Sequence, residues 1–152
     1  MRKWRSVDEV LDFAIGEEDA AAKFYTRLAR KTKNAAMAEV LEGFAIEEKG
    51  HKDKLLTVKA GQHVRLGGKA VVDLRTADYV VAVKASPSMS YQDALIVAMK
   101  KEKAAFKLYT DLAASVESRK IKALFLALAQ EEAKHKLRFE IEYDDFMEKA
   151  EQ

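Results

Sequence analysis

The sequence of 152 residues contains no cysteine. This absence excludes a disulfide framework, a cysteine-ligated zinc site, an iron–sulfur cluster and a thiol nucleophile. It leaves the redox compartment open, because a chain without cysteine suits an oxidising or a reducing environment. Any reactive site must be built from other side chains.

Long apolar runs and an excess of one charge are also missing. Lys and Arg number 27 and Asp and Glu 25, with interspersed signs, so charge gives no strong case for nucleic-acid binding. No segment approaches the roughly 20 apolar residues of a membrane span, and no apolar run of a secretory signal follows the basic opening residues. A 49% hydrophobic, 34% charged composition excludes disorder. We predict one cytoplasmic domain over 1–152, without membrane or nucleic-acid partners.

Proline and glycine, the residues that interrupt helices, are scarce and unevenly placed. The one proline is Pro87, and half of the six glycines lie in the middle of the chain, at Gly61, Gly67 and Gly68. These residues divide the chain into a hairpin over 6–60, a crossover connection over 61–89 and a hairpin over 90–148. The other glycines fall inside the hairpins, where each costs roughly 1 kcal/mol relative to alanine. Close packing is the one reason that the sequence suggests for Gly16, Gly43 and Gly50.

Each half of the chain opens with a signal for a helix start. Ser6 and Glu9 form a capping box, and Ser90 with Asp93 is a weaker version because aspartate replaces the preferred Glu or Gln. Turn-compatible residues interrupt the apolar pattern once within each half. The sequence therefore predicts four helices, over 7–31, 35–60, 91–115 and 119–148.

The two halves repeat each other. Residues 6–56, shifted by 84, fall on 90–140 without a gap, and 16 of these 51 positions are identical. The period is too long for a solenoid and indicates two similar helical hairpins. The connection between them is long enough to run the length of helices of about 40 Å. We therefore predict an all-α four-helix bundle of ferritin-like topology, in which the second and third helices run parallel.

An apolar row with helical spacing follows one face of every predicted helix, and a glutamate interrupts each row near its centre. In the second and fourth helices a histidine follows that glutamate three residues later. The glutamates of each hairpin are equally distant from its turn, so antiparallel packing places them at one level. Six polar side chains are thus expected to meet in the core, namely Glu18, Glu48, His51, Glu102, Glu132 and His135.

Four carboxylates cannot stay ionised and unpaired in one core, because burying each charge costs several kcal/mol. Two divalent cations balance the four negative charges, and two neutral imidazoles complete the ligand set. One glutamate from each of two helices, with Glu-x-x-His from the other two, is the pattern of carboxylate di-iron and di-manganese proteins. Oxygen-rich ligation favours iron or manganese, and ligand type alone leaves zinc open.

Residues near the predicted ligands have two interpretations each. Tyr25 and Tyr109 stand seven residues after the glutamates of the first and third helices, and either pack as core aromatics or hydrogen-bond to a ligand carboxylate. His63 has no matching ligand partner and is expected to be exposed. A solvated face is expected for Lys49, Lys52 and Lys54. Solvation or contact with a ligand is expected for the glutamates one position off the apolar row, Glu17, Glu47 and Glu131.

Four motifs carry a resemblance to a known family. They are EDAAAKFY from Glu18, EKGH from Glu48, EKAAFKLY from Glu102 and EAKH from Glu132. With them the chain resembles the rubrerythrin-like branch of the ferritin-like superfamily over nearly all its length. The resemblance implies non-haem di-iron chemistry, either reduction of hydrogen peroxide or oxidation of Fe(II) by peroxide or dioxygen. It also implies that Glu48 and Glu132 bridge two irons, with Glu18 and Glu102 as terminal ligands.

Two departures from rubrerythrins bear on turnover. Without cysteine the chain holds no rubredoxin-like iron, so a separate, rubredoxin-like electron donor is expected. Ala105 stands where rubrerythrins carry an extra carboxylate, which removes a residue associated with ligand exchange at one iron. We expect a homodimeric oxidoreductase linked to oxidative stress. The alternatives are an iron-binding or storage protein with ferroxidase activity, and a metal-binding bundle without turnover.

Overall fold

The structure is a computed structural model that describes residues 6–61, 79, 81 and 88–150. It contains four helices, α1 (Val7–Lys31), α2 (Ala35–Gly61), α3 (Tyr91–Ser115) and α4 (Arg119–Ala150). The four predicted helices are confirmed, with α2 and α4 slightly longer than expected. Most of the predicted connection over 61–89, including His63, lies outside the described residues. None of the described helices combines the length and apolar character that a membrane crossing needs.

Side-chain caps explain where the helices begin. Ser6 and Ser90 each accept a hydrogen bond from the backbone N–H three residues later, at 3.2 and 3.1 Å, as the sequence predicts. The turns inside the hairpins are capped in the same way, since Asn34 accepts from the N–H groups of residues 36 and 37 and Ser118 accepts from that of residue 121. Each cap satisfies backbone donors that have no partner within the helix.

The helices form two antiparallel hairpins, α1–α2 and α3–α4, joined as the crossover topology requires. Lys31 at the end of α1 donates to the carbonyl of Met89, just before α3, at 2.9 Å. The end of α1 therefore lies beside the start of α3, so α2 and α3 run parallel. Within the connection, Tyr79 is buried and donates to Asp111 of α3 at 2.8 Å. Tyr79 therefore packs against the bundle.

Two apolar clusters fill the bundle, one toward each end. The first joins the start of α1, the end of α2, the end of α3 and the start of α4, with Leu11, Leu55, Leu112 and Phe125 among its members. The second joins the opposite ends, with Leu28, Met37, Leu95 and Phe139 among its members. All eight side chains are at most 2% exposed. The polar residues predicted for the core lie between the two clusters, which separate them from solvent at both ends of the bundle.

The three helical glycines are not explained by packing within the chain. A Cβ atom added to Gly16, Gly43 or Gly50 meets no other atom within 4 Å among the described residues. The described residues therefore show no close packing at these glycines, and a Cβ atom would meet open space there. Each remains a cost to helix stability, with no compensating contact in the described part of the chain.

Candidate metal centre

The structure brings all six predicted polar residues together at the middle of the bundle. Each is at most 2% exposed. They form two overlapping groups whose ligand atoms lie within 4.8 Å of one another. One group holds Glu18 and His51, the other holds Glu102 and His135, and both include Glu48 and Glu132. This arrangement has the symmetry of the sequence repeat, with two terminal pairs around two shared carboxylates.

Both histidines point the same ring nitrogen at the carboxylates. Nδ1 of His51 lies 3.0 Å from Glu132 Oε1 and 3.4 Å from Glu18 Oε2. Nδ1 of His135 lies 3.2 Å from Glu48 Oε1 and 3.6 Å from Glu102 Oε1. The two rings are nearly parallel, at 14°, with centroids 6.4 Å apart. Nitrogen and oxygen donors from four helices thus converge on one small volume.

Six buried polar atoms in this cluster, one on each predicted residue, form no hydrogen bond of acceptable geometry, although several lie only 3.0–3.4 Å from one another. They are Glu18 Oε2, Glu48 Oε1, His51 Nδ1, Glu102 Oε2, Glu132 Oε1 and His135 Nδ1. Buried polar atoms in proteins are normally satisfied, and leaving one without a partner costs about 1–3 kcal/mol. Six such atoms that face one another have the arrangement expected of a ligand set for cations. Four carboxylates with two imidazoles suit two divalent ions such as iron or manganese.

Tyr25 and Tyr109 fit both of their interpretations, because each packs as a core aromatic and also donates a hydrogen bond to a carboxylate of the cluster. Tyr25 and Tyr109 are at most 1% exposed and pack in the apolar clusters. The hydroxyl of Tyr25 donates to Glu102, and that of Tyr109 donates to Glu18. Each tyrosine therefore holds a carboxylate of the other hairpin and leaves that residue's second oxygen facing the cluster.

Two glutamates off the apolar row contact the outer sides of the histidines. Nε2 of His51 is hydrogen-bonded to Glu131, and Nε2 of His135 to Glu47. Both carboxylates are also partly in solvent, with side chains 41% and 53% exposed. When Nδ1 binds a cation, Nε2 carries the proton and donates to the carboxylate, which fixes the tautomer and raises the basicity of the ligand nitrogen. Glu47 and Glu131 are thus both partly in solvent and in contact with a histidine of the cluster.

Without cations, the close packing of carboxylates changes their acidity. Burial raises the pKa of Glu48 to about 8, and the negative charge of Glu102 adds to the increase. Burial and the same neighbour raise the pKa of Glu132 well above its usual range. The physical cause is the cost of several negative charges in a poorly solvated core. Burial and mutual repulsion therefore favour the protonated form of these two carboxyl groups in the metal-free cluster.

The pKa of each histidine is raised, which is the opposite of what burial alone would do. Burial lowers the pKa of His51, but Glu18 and Glu48 outweigh it and raise that pKa to about 9. For His135, Glu102 and Glu48 outweigh burial and raise the pKa to about 11. The surrounding negative charge thus favours the imidazolium form. A cation entering the cluster must displace these protons, so metal binding is coupled to proton release.

The family model for the ferritin-like domain matches residues 6–140 of this chain. That range contains all four helix starts and every residue of the cluster. The chain belongs to the ferritin-like domain family. The buried carboxylate and histidine cluster occupies the centre of this ferritin-like bundle and has the donors of a metal-binding site.

Solved structures share the ferritin-like fold over almost the whole chain. One is a hypothetical protein from Pyrococcus furiosus, 28% identical, with a TM-score of 0.72 over 91% of this chain and 89% of that one. Another is described as a ferritin-like diiron-carboxylate protein from Thermotoga maritima, 16% identical, with a TM-score of 0.77 over 95% of this chain and 98% of that one. No curated protein matches the chain significantly.

A small cavity reaches the cluster of this ferritin-like protein from between α1 and α3. It measures about 20 Å³, and all four cluster carboxylates and both tyrosines line it, whereas neither histidine does. Glu17, which we expected to be solvated or near a ligand, is half-buried and lines the cavity together with Lys101. Burial raises the pKa of Glu17, an effect that Lys101 opposes. Among the described residues, the cluster therefore has a carboxylate side that faces α1 and α3, where Tyr79 also lines the cavity, and a histidine side backed by Glu47 and Glu131.

The lysines expected to form a solvated face only partly do so. Lys49 and Lys54 are exposed, as predicted. Lys52 is half-buried and bridges from α2 to Asp19 of α1 at 3.0 Å. The expectation was wrong for Lys52 because the inner hairpin faces bring its long side chain within reach of a carboxylate.

Proposed function

We propose that this protein is a non-haem di-iron oxidoreductase of rubrerythrin type that reduces hydrogen peroxide. The observation that carries the proposal is the set of six unpartnered buried atoms on six residues of a ferritin-like bundle. A site built only for stability would pair these atoms with hydrogen-bond donors and acceptors. The resemblance of the four motifs to rubrerythrins supports iron as the metal, with manganese and zinc as alternatives.

Six residues would hold the metal pair. Glu18 with His51 would hold one ion, and Glu102 with His135 the other, because each pair belongs to a separate group of donors. Glu48 and Glu132 belong to both groups and would bridge the ions. Two divalent ions carry four positive charges, which balance these four carboxylates and leave both histidines neutral.

An iron pair held by these residues would supply the two electrons that, together with two protons, convert one hydrogen peroxide into two water molecules. The chain's own residues prepare the place for this reaction. Tyr25 and Tyr109 fix the orientation of the terminal carboxylates through their hydroxyl groups. Glu131 and Glu47 fix the histidine tautomers. The two apolar clusters exclude bulk water from both ends of the site.

The reductant must come from another molecule. The chain contains no cysteine for a rubredoxin-type iron, so we propose a separate rubredoxin-like protein as the donor. We further propose a homodimer that works in the cytoplasm against oxidative stress. These parts of the proposal rest on composition and on the resemblance, and they are tested by mass in solution and by assays with added rubredoxin.

The proposal is tested by loading the protein with Fe(II) and mixing it rapidly with hydrogen peroxide or with dioxygen. We expect two iron ions per chain, faster oxidation by peroxide, and turnover only when a rubredoxin-like reductant is present. The Glu48→Ala variant is the control and should neither hold the pair nor react. Absence of a reaction with either oxidant in the iron-loaded protein would overturn the enzymatic proposal in favour of a metal-binding bundle without turnover.

The same experiment separates peroxide reduction from iron storage. In iron storage, Fe(II) is a substrate rather than a resident cofactor. Storage also requires a large hollow assembly that holds the ferric product. Faster oxidation by dioxygen, accumulation of ferric mineral and a cage-sized mass in solution would together favour ferroxidase and storage. A small oligomer without mineral would exclude storage.

A further inference from the structure

We propose that the protein forms its dimer through the outer face of α2, with α2 of a second copy packed antiparallel against it. The inference rests on the homodimer within the proposed function, and it adds the surface, the direction of the two helices and the residues that fix their register. The partner is a second copy of this chain because the exposed residues of α2 are complementary to themselves.

Two large apolar side chains are exposed on α2. Ile46 is 69% exposed, the highest value among the large hydrophobic residues of the described chain, and Leu56 is 42% exposed. Between them lie Lys49 and Asp53, both exposed, so that steps of three and four residues join all four positions. Such spacing places the four side chains along one stripe of a helix. A single chain leaves this outer stripe of α2 in water.

An antiparallel copy of α2 brings the groups of this stripe together in matching pairs. With the twofold axis at the level of residue 51, Ile46 faces Leu56 of the second copy, because each lies five residues from that level. Lys49 faces Asp53 of the second copy, because each lies two residues from it. A twofold interface repeats every contact, so two apolar contacts and two ion pairs form.

The two charges of the stripe set the direction of the pairing. None of the ion pairs among the described residues involves Lys49 or Asp53, whereas the neighbouring Lys52 reaches Asp19 of α1 at 3.0 Å. Parallel packing of two α2 helices would place each charge against its own copy, and antiparallel packing places opposite charges together. Exposed ion pairs add little to affinity, so burial of the apolar side chains supplies most of the binding energy and the charges fix the register.

The second hairpin does not repeat this pattern. The shift of 84 residues gives Gln130, Ala133, Leu137 and Glu140 on α4 at the corresponding positions. These positions contain no positive charge, so two α4 helices would not form the ion pairs that fix the register of α2. The six cluster residues are repeated between the hairpins, whereas the charged and apolar stripe belongs to α2.

The first test measures the dimer dissociation constant by analytical ultracentrifugation, with the iron content of each variant determined separately. Ile46→Glu should raise this constant by about tenfold or more, because it places a charge against an apolar side chain of the second copy. Leu137→Glu is the matched control, since Leu137 is 58% exposed on α4 and lies outside the proposed surface. The control should leave the constant unchanged.

Charge reversal tests the register. Lys49→Glu and Asp53→Lys should each weaken the dimer, because like charges then face each other. A chain with both changes should regain the dissociation constant of the parent protein, and a mixture of the two single variants should form a heterodimer. A local effect of either change on α2 would not be rescued in this way. Failure of both the double variant and the mixture to form dimers would overturn the proposed register.

Disulfide formation tests the direction of the helices. The chain has no cysteine of its own, so introduced cysteines report one contact without background. A variant with both Ile46→Cys and Leu56→Cys should form covalent dimers on oxidation. Ile46→Cys alone should not, because the two copies of position 46 would be about 15 Å apart along the antiparallel helices, too far for a disulfide.

The outcomes separate this inference from the proposed function. A parent protein that stays monomeric, or an assembly whose mass Ile46→Glu leaves unchanged, would overturn the inference. Loss of the dimer in Leu137→Glu but not in Ile46→Glu would also overturn it and place the interface on α4. Peroxide reduction is measured on the iron-loaded protein and would stand in each of these cases. A dimer that holds no metal pair would instead overturn the proposed function and leave this interface standing.

Discussion

The two hairpins contribute the same groups to the centre, but they differ on their outer faces. The shift of 84 residues converts every predicted ligand of the first hairpin into one of the second. The polar contacts at the centre also cross between hairpins, since Tyr25 binds Glu102 and Glu131 binds His51. Neither hairpin completes a metal site alone, so the halves must pack together before the centre exists.

The difference between the hairpins lies in helix propensity. Gly16, Gly43 and Gly50 of the first hairpin correspond to three better helix formers in the second, Lys100, Ala127 and Lys134. At roughly 1 kcal/mol for each glycine, the first hairpin is intrinsically less helical by about 3 kcal/mol. The six cluster residues and the two tyrosines are thus matched between the halves, whereas these three glycine positions are not. Bonds through the metal pair would hold the weaker hairpin to the stronger one.

The largest effect on metal binding should come from removing a carboxylate that belongs to both donor groups. Glu48→Ala and Glu132→Ala should each abolish binding of both ions, because each residue belongs to both donor groups. The two variants should behave alike, as the repeat requires. Metal content after loading measures the effect, with Glu42→Ala, an exposed change on α2, as the control. Retention of one tightly bound ion in either variant would show that the shared position does not serve both ions.

Removal of the metal should have the next largest effect and should depend on pH. The metal-free protein should melt roughly 10 °C or more below the loaded protein, because binding energy adds to folding energy and 1 kcal/mol corresponds to about 2–4 °C in a domain of this size. Thermal melts with and without a chelator measure the difference. Equal melting temperatures at neutral pH would contradict a metal-dependent core.

The sign of the pH dependence follows from the raised pKa values. Folding raises the pKa of Glu48 from 4.5 to about 8 and that of His51 from 6.5 to about 9. Between the unfolded and folded values, the folded metal-free state binds more protons, so its stability falls as the pH rises from about 4.5 to about 9. The loaded protein should change less, because cations replace those protons. Metal-free Glu48→Gln should show a shallower decline than the metal-free parent.

Much of this centre was predictable because its residues follow helical spacing. The glutamates and histidines interrupt apolar rows, and helix geometry fixes their level in the bundle. The partners of Nε2 were less certain, since Glu47 and Glu131 lie one position off the row and could equally have been solvated. The contact of Lys52 with Asp19 and the cavity at Ala105 both depend on how far α1 lies from α2 and α3. Such distances follow from packing of the whole bundle, which spacing along one helix does not determine.

Removal of a carboxylate that is hydrogen-bonded to Nε2 of a histidine should moderately weaken the affinity for one ion of the pair and thereby distinguish the two ions. Glu131→Ala should weaken the ion held with His51, and Glu47→Ala the ion held with His135, by about tenfold each. The second ion should be nearly unaffected in each variant. Competition with a metal-binding dye resolves the two affinities, and Glu42→Ala again serves as the control. Equal weakening of both ions by one change would show that these contacts act on the bundle as a whole.

The smallest effect should come from equalising helix propensity between the hairpins. Gly43→Ala should raise the free energy of unfolding by up to about 1 kcal/mol, or about 2–4 °C in melting temperature, because the added methyl group meets open space. The matched reverse change is Ala127→Gly, at the corresponding exposed position of α4, which should lower stability by a similar amount. Metal content should not change in either variant, because both positions face away from the centre. A destabilised Gly43→Ala protein would show that a Cβ atom is excluded there by a contact beyond the described chain, such as a second copy packed against α2.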